Sequence, residues 1–134
     1  MIVLDENLNY PILANRIASW YPGRVAILTE LRPQSAIKDD AASELLRTVP
    51  YPTFVTINVK DFWRVIRADS RFSVVCVELL IDRSEQVSEW LRNFLSKPEF
   101  KTKAARMGIV ALLRPTRIQF YRADRKIETM DWTP

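Results

Sequence analysis

Ser73-Val74-Val75-Cys76-Val77-Glu78-Leu79-Leu80 is a nearly continuous apolar run of strand length. A strand covered by helices on both faces reads this way, because it has no solvent-facing side to alternate with. The run is therefore expected in the interior of a parallel sheet. Working outward, Thr53–Ile57 is β-branched and aromatic, and Met1–Leu4 and Arg24–Leu28 are short apolar runs that read as buried strands. Helical patterns separate these runs. Leu8 to Trp20 has apolar residues at 8, 12, 13, 17 and 20, with Pro11 suited to a first turn. Asp39-Asp40-Ala41-Ala42-Ser43-Glu44-Leu45-Leu46 starts acidic and turns apolar, a helix N-terminus signal. Lys60 opens a short helix, and Ser84-Glu85-Gln86-Val87 opens one running to about Ser96. Strand and helix thus alternate four times, which predicts an α/β fold: a three-layer α/β/α sandwich on a mainly parallel sheet.

The last third changes character. Lys97 to Arg106 reads as a basic helix. Gly108–Leu113 and Arg117–Tyr121 flank Arg114-Pro115-Thr116 as a β-hairpin, and Ile127–Trp132 adds a third strand. One domain is expected, with an α/β core over 1–96 and a basic helix and hairpin extension over 97–134.

Composition removes many chemistries. The chain of 134 residues has no histidine, so Ser–His–Asp, Cys–His and His-ligated zinc sites are impossible within it. Two glycines cannot build a P-loop or a dinucleotide-binding turn, and one cysteine cannot form an internal disulfide. There is no signal-like opening and no apolar run of about 18 residues, so a cytoplasmic protein without a membrane span is expected. Carboxylates, amides, hydroxyls and cationic side chains remain.

Ligands of an open parallel sheet bind beyond the carboxyl ends of its strands. Asp5 follows the first strand and Asn58 the third, while Asp39, Asp40 and Asp61 start the helices on either side of that third strand. Taken singly, each Asp is explained by helix capping. Together they outline a crevice in which crowded carboxylates would hold a hard cation, Mg²⁺ or Mn²⁺, able to activate water against a phosphodiester. Charge is uneven as well. Residues 97–126 hold nine basic and two acidic side chains, against 11 and 12 over residues 1–96. Lys101, Lys103, Arg106, Arg117 and Arg122, with Arg64 near the crevice, are candidate phosphate contacts; the plain alternative is a solvated face.

Val3-Leu4-Asp5-Glu6-Asn7-Leu8 resembles the opening motif of the bacterial PIN-like domains, and Lys38-Asp39-Asp40-Ala41-Ala42 resembles their second acidic position. Phe54-Val55-Thr56-Ile57-Asn58-Val59-Lys60-Asp61-Phe62 resembles their third block, a strand ending in Thr-x-Asp-x-Asp-Phe. The resemblance covers about residues 1–95. It implies a PIN-like sandwich and a Mg²⁺- or Mn²⁺-dependent ribonuclease, in some cases the toxin of a toxin–antitoxin pair with an antitoxin protein as partner. Carried over by position, Asp5, Asp40 and Asp61 would be catalytic, and Asp5, Asp39 or Asp40, Asn58 and Asp61 would surround the metal. Two departures stand out: Asn58 falls where the family has Asp, and Val59 is an extra residue before Lys60-Asp61.

Three functions follow as expectations: a metal-dependent ribonuclease, a non-catalytic module that binds nucleic acid or protein at a degraded metal site, and a receiver-like phosphoacceptor. The last is disfavoured because Asn58 stands at the phosphoacceptor place. RNA is the expected partner, and an open sheet edge allows a homodimer.

Overall fold

The computed structural model describes residues 1–31 and 39–134, without the side chains of Asp39 and Asp40. Strands β1 (Ile2–Leu4), β2 (Val25–Ile27), β3 (Thr53–Thr56), β4 (Ser73–Val77), β5 (Val110–Leu113), β6 (Arg117–Tyr121) and β7 (Glu128–Asp131) form one sheet among the described residues. Helices α1 (Pro11–Trp20), α2 (Leu28–Leu31), α3 (Asp39–Leu46), α4 (Val59–Phe62), α5 (Val87–Leu95) and α6 (Lys103–Arg106) complete it. The strand order is β2-β1-β3-β4-β5-β6-β7. Strands β1 to β5 run parallel, while β6 and β7 are antiparallel additions.

Alternation along the strands distributes two cores. Ile2, Leu4, Val55 and Val75 face α1 and α5, where Leu13, Ile17, Trp90 and Leu91 close over them. Val3, Phe54, Val74 and Cys76 face the other way, against Ala42, Leu46 and Phe62 of α3 and α4. Every residue of β4 is buried, as its apolar continuity requires. Pro11 occupies the first turn of α1, where its missing N–H costs nothing. The indole N–H of Trp20 donates to Ser88 Oγ at 2.9 Å and ties α1 to α5. No helix among the described residues is long and apolar enough to cross a membrane.

Three expectations are corrected. First, β5 and β6 form the expected antiparallel hairpin, but β5 is also the fifth parallel strand, reached from β4 through α5 like the strands before it. Phe100 and Trp132 sit in the same core as α5, so the core does not divide at 96/97. Basic composition marks the surface of this region and says nothing about its sheet pairing.

Second, the basic helix over 97–106 shrinks to the single turn α6, capped by Thr102 Oγ1 accepting from the Ala105 N–H at 3.1 Å. Phe100 is drawn into the core instead, stacked on Phe94 at 4.3 Å. Third, β2 ends at Ile27, and Leu28 begins a helix. Gly108 turns the chain from α6 into β5 with φ 88°, a conformation open to glycine and strained for other residues.

Candidate functional site

In this strand order the chain's progress across the sheet reverses between β1 and β3. A crevice therefore opens beyond their carboxyl ends, the usual ligand position in doubly wound sheets. Asp5 is the first residue past β1. Its backbone N–H donates to Val55 O at 2.9 Å, which extends the β1–β3 pairing by one bond and fixes where the side chain starts.

The carboxylate is spent on two donors. Oδ1 accepts from the Glu6 N–H at 2.8 Å and caps a single 3₁₀ turn over Glu6–Leu8, while Oδ2 accepts from the Thr56 hydroxyl at 2.7 Å. Thr56, wholly buried at the end of β3, accepts in turn from the Asn58 N–H at 2.9 Å. Asn58 Nδ2 donates to Asp61 Oδ2 at 2.8 Å. A connected run, Asp5–Thr56–Asn58–Asp61, thus bridges the two strand ends at the point of reversal.

Asp5 is only 6% exposed. Burial pushes its carboxyl above the usual range, and the charges of Glu6 and Asp61 push it the same way, against the two hydrogen bonds that favour the ionised form. A capping aspartate at the surface would have the bonds without the burial or the like charges. Asp5 therefore both caps the turn and ties it to the end of β3. Asp61 also opens onto a groove of about 680 Å³ that runs along α4.

Of the expected acidic positions, Asp5, Asn58 and Asp61 come together. Asp39 and Asp40 begin α3, but their side chains lie outside the described residues. Thr56, the hydroxyl at the centre of the network, was not among the candidate site residues. Its signal in the sequence was a Thr closing a strand two residues before Asn58, which is legible only once β1 and β3 are known to be neighbours. Asn7 Oδ1, two residues from Asp5, is a buried acceptor without a hydrogen-bond partner among the described residues.

The basic candidates separate. Arg106 is corrected outright. It is 4% exposed, and its guanidinium donates to Thr53 Oγ1 at 3.1 Å, Phe100 O at 2.9 Å and Lys101 O at 3.0 Å. Thr53 begins β3, so Arg106 sits at the amino edge of the sheet, about 13 Å from the crevice for a strand of four residues. Lys101 and Lys103 are exposed near it, beside Trp20 and Arg92 on the α1/α5 layer. Arg117 is exposed at the start of β6. Arg122 pairs with Glu128 at 2.8 Å and lies over the Phe120 ring. Arg64, exposed after α4, has the left-handed φ of 63°.

Trp132, 6% exposed, packs edge-on against Trp90 at 5.8 Å. Burial raises the Cys76 thiol beyond the range of a reactive nucleophile. Compared with known proteins, the chain matches no family model, no curated protein and no solved structure.

Proposed function

We propose that this protein is a metal-dependent ribonuclease of PIN-like type, hydrolysing RNA phosphodiester bonds at the crevice between β1 and β3. One observation carries the reading: Asp5, buried and raised in pKa, is held by Thr56 within reach of the Asp61 charge at the point where the strand order reverses. A buried carboxylate crowded by like charge is a group that a cation relieves.

The donor set is compatible with a hard cation. It consists of carboxylate and amide oxygens, and each Asp5 oxygen accepts one hydrogen bond among the described residues, which leaves it a lone pair. Among the described residues no three acidic, histidine or cysteine side chains form a ready metal group. Mg²⁺ and Mn²⁺ bind through one or two carboxylates and keep several waters. Asp5 and Asp61 would hold the ion, with Asp39 or Asp40 the expected third carboxylate. When bound, the ion lowers the pKa of a water and offsets charge on the phosphate. Thr56 positions the Asp5 carboxylate and favours its ionised form. Asn58 orients Asp61 through its amide.

The same amide supports a second reading. Asn58 presents a donor, not an anion, to Asp61, as a binding module with a degraded metal site would. Cleavage of single-stranded RNA by the purified chain in Mn²⁺ or Mg²⁺ separates the two. Loss of cleavage on chelation and in Asp5→Asn and Asp61→Asn variants is expected. RNA bound but left intact at saturating metal gives the second reading.

A further inference from the structure

The groove beside Asp61 continues past the crevice. It passes Lys60 and reaches Arg67 and Ala68, and those two residues also wall a second cleft of about 350 Å³. That cleft ends at Arg122 and Arg125, beyond the last residue of β6. The two clefts thus share the Arg67–Ala68 wall and together form a track from Asp61 at one end to the arginines at the other, over the α3/α4 layer.

Its charge changes along the way. Where the groove meets the second cleft, beside Ala68, Asp69 is already held by Arg71 and Arg47, which keep its carboxyl below the usual range. Among the described residues the second cleft is walled by Arg67, Ala68, Tyr121, Arg122, Ala123 and Arg125: three guanidiniums and no carboxylate. Arg67 has no hydrogen-bond or ion-pair partner among the described residues. The Arg122–Glu128 pair is exposed on both sides, a weak hold on the guanidinium.

The far end is also fixed in place. Tyr121 donates its hydroxyl to Ile66 O at 2.6 Å and packs its ring against Trp63 at 5.2 Å. Arg125 Nη2 donates to Arg64 O at 3.1 Å. Both members of that last contact have left-handed backbone, φ 63° at Arg64 and 62° at Arg125. Such residues persist only where their surroundings enforce them, and they gather at binding sites.

We propose that this track carries the phosphate backbone of single-stranded nucleic acid away from the acidic crevice, with Arg67 passing it to Arg122 and Arg125. The assignment rests on the reading that Asp5 and Asp61 act on RNA. Arginine forks match phosphate oxygens in pairs, and the second cleft exposes no large apolar side chain of the kind that centres a protein interface. An acidic protein is therefore the poorer fit. Lys101 and Lys103, on the opposite layer, lie off the track.

The test is fluorescence anisotropy of a labelled single-stranded RNA of about ten nucleotides, titrated with the full chain in EDTA at several salt concentrations. On a single strand each phosphate contact contributes about −0.7 to the slope of log K against log salt. The Arg67→Ala/Arg122→Ala/Arg125→Ala variant is expected to flatten the slope by about 2 and to weaken binding. Arg67→Ala alone, at an exposed position without partners, should flatten it by about 0.7 and serves if the triple variant fails to fold. Lys101→Ala/Lys103→Ala should bind as the parent does. The assignment is overturned if the arginine variants keep the parental slope, if the lysine variant loses it instead, if the parent binds no RNA, or if polyglutamate competes through the same arginines. Binding through the arginines without cleavage in Mn²⁺ supports the track and removes the nuclease reading.

Discussion

Arg106→Ala tests whether a cation in the basic third of the chain serves the fold or a ligand. The guanidinium makes three donated hydrogen bonds, to Thr53 Oγ1, Phe100 O and Lys101 O, at 2.9–3.1 Å. Bonds from a charged donor contribute about 1.5 kcal/mol each, near 4.5 kcal/mol in sum. Against this stands the burial of the cation, which lowers the Arg106 pKa and is relieved when the side chain is removed. A net loss of about 2–3 kcal/mol follows, because the buried Phe100 carbonyl and Thr53 hydroxyl lose their donor. With a urea m-value of about 1.5 kcal/mol/M, the midpoint should fall by about 1.3–2 M. Arg106→Lys keeps the charge but not the fork, and should retain most of that loss. The salt slope for single-stranded RNA should not change in either folded variant. An unchanged urea midpoint with a slope flatter by about 0.7 would refute the structural role and return Arg106 to the phosphate contacts.

Two further predictions concern the crevice. Asp5 has a raised pKa in the folded chain, so between the ordinary aspartate value of about 3.9 and that raised value the native state binds more protons than the unfolded one. Stability contributed by protonated Asp5 is full below the ordinary value and is lost as pH rises through the raised one. Asp5→Asn should therefore flatten the stability–pH curve over this window and be at least as stable as the parent at neutral pH, measured by thermal melts across pH. A variant much less stable at neutral pH than at pH 4 would contradict the assignment. Thr56→Val removes the hydroxyl that favours ionised Asp5, so the acid limb of the cleavage pH–rate profile should move to higher pH. It should also cost about 1–2 kcal/mol in urea unfolding, since the Asn58 N–H loses its acceptor. An acid limb left in place would detach Thr56 from the chemistry.

Much of the architecture is written locally. The unbroken apolar run of β4 and the proline at the start of α1 each encode their element through short-range physics, namely burial on two faces and a donor that is not needed. The absence of histidine and the two glycines likewise narrowed the chemistry before any fold was known. Asp5, Asn58 and Asp61 were legible as candidates because a strand end is recognisable and its next polar residue must lie at a sheet edge.

Tertiary structure decided the rest, because it concerns which strands are neighbours and which end of the sheet a residue reaches. Charge counting grouped Lys101, Lys103, Arg106 and Arg122 as one patch, yet Arg106 is buried against the amino end of β3, the two lysines face the α1/α5 layer, and Arg122 belongs to a cleft on the other layer. Residues close in sequence were separated by a sheet that divides them between its two faces. Asp5 and Thr56 lie 51 positions apart and share a hydrogen bond because β1 pairs with β3. That bond depends on strand order, a property of the packed sheet that no local pattern in the chain encodes.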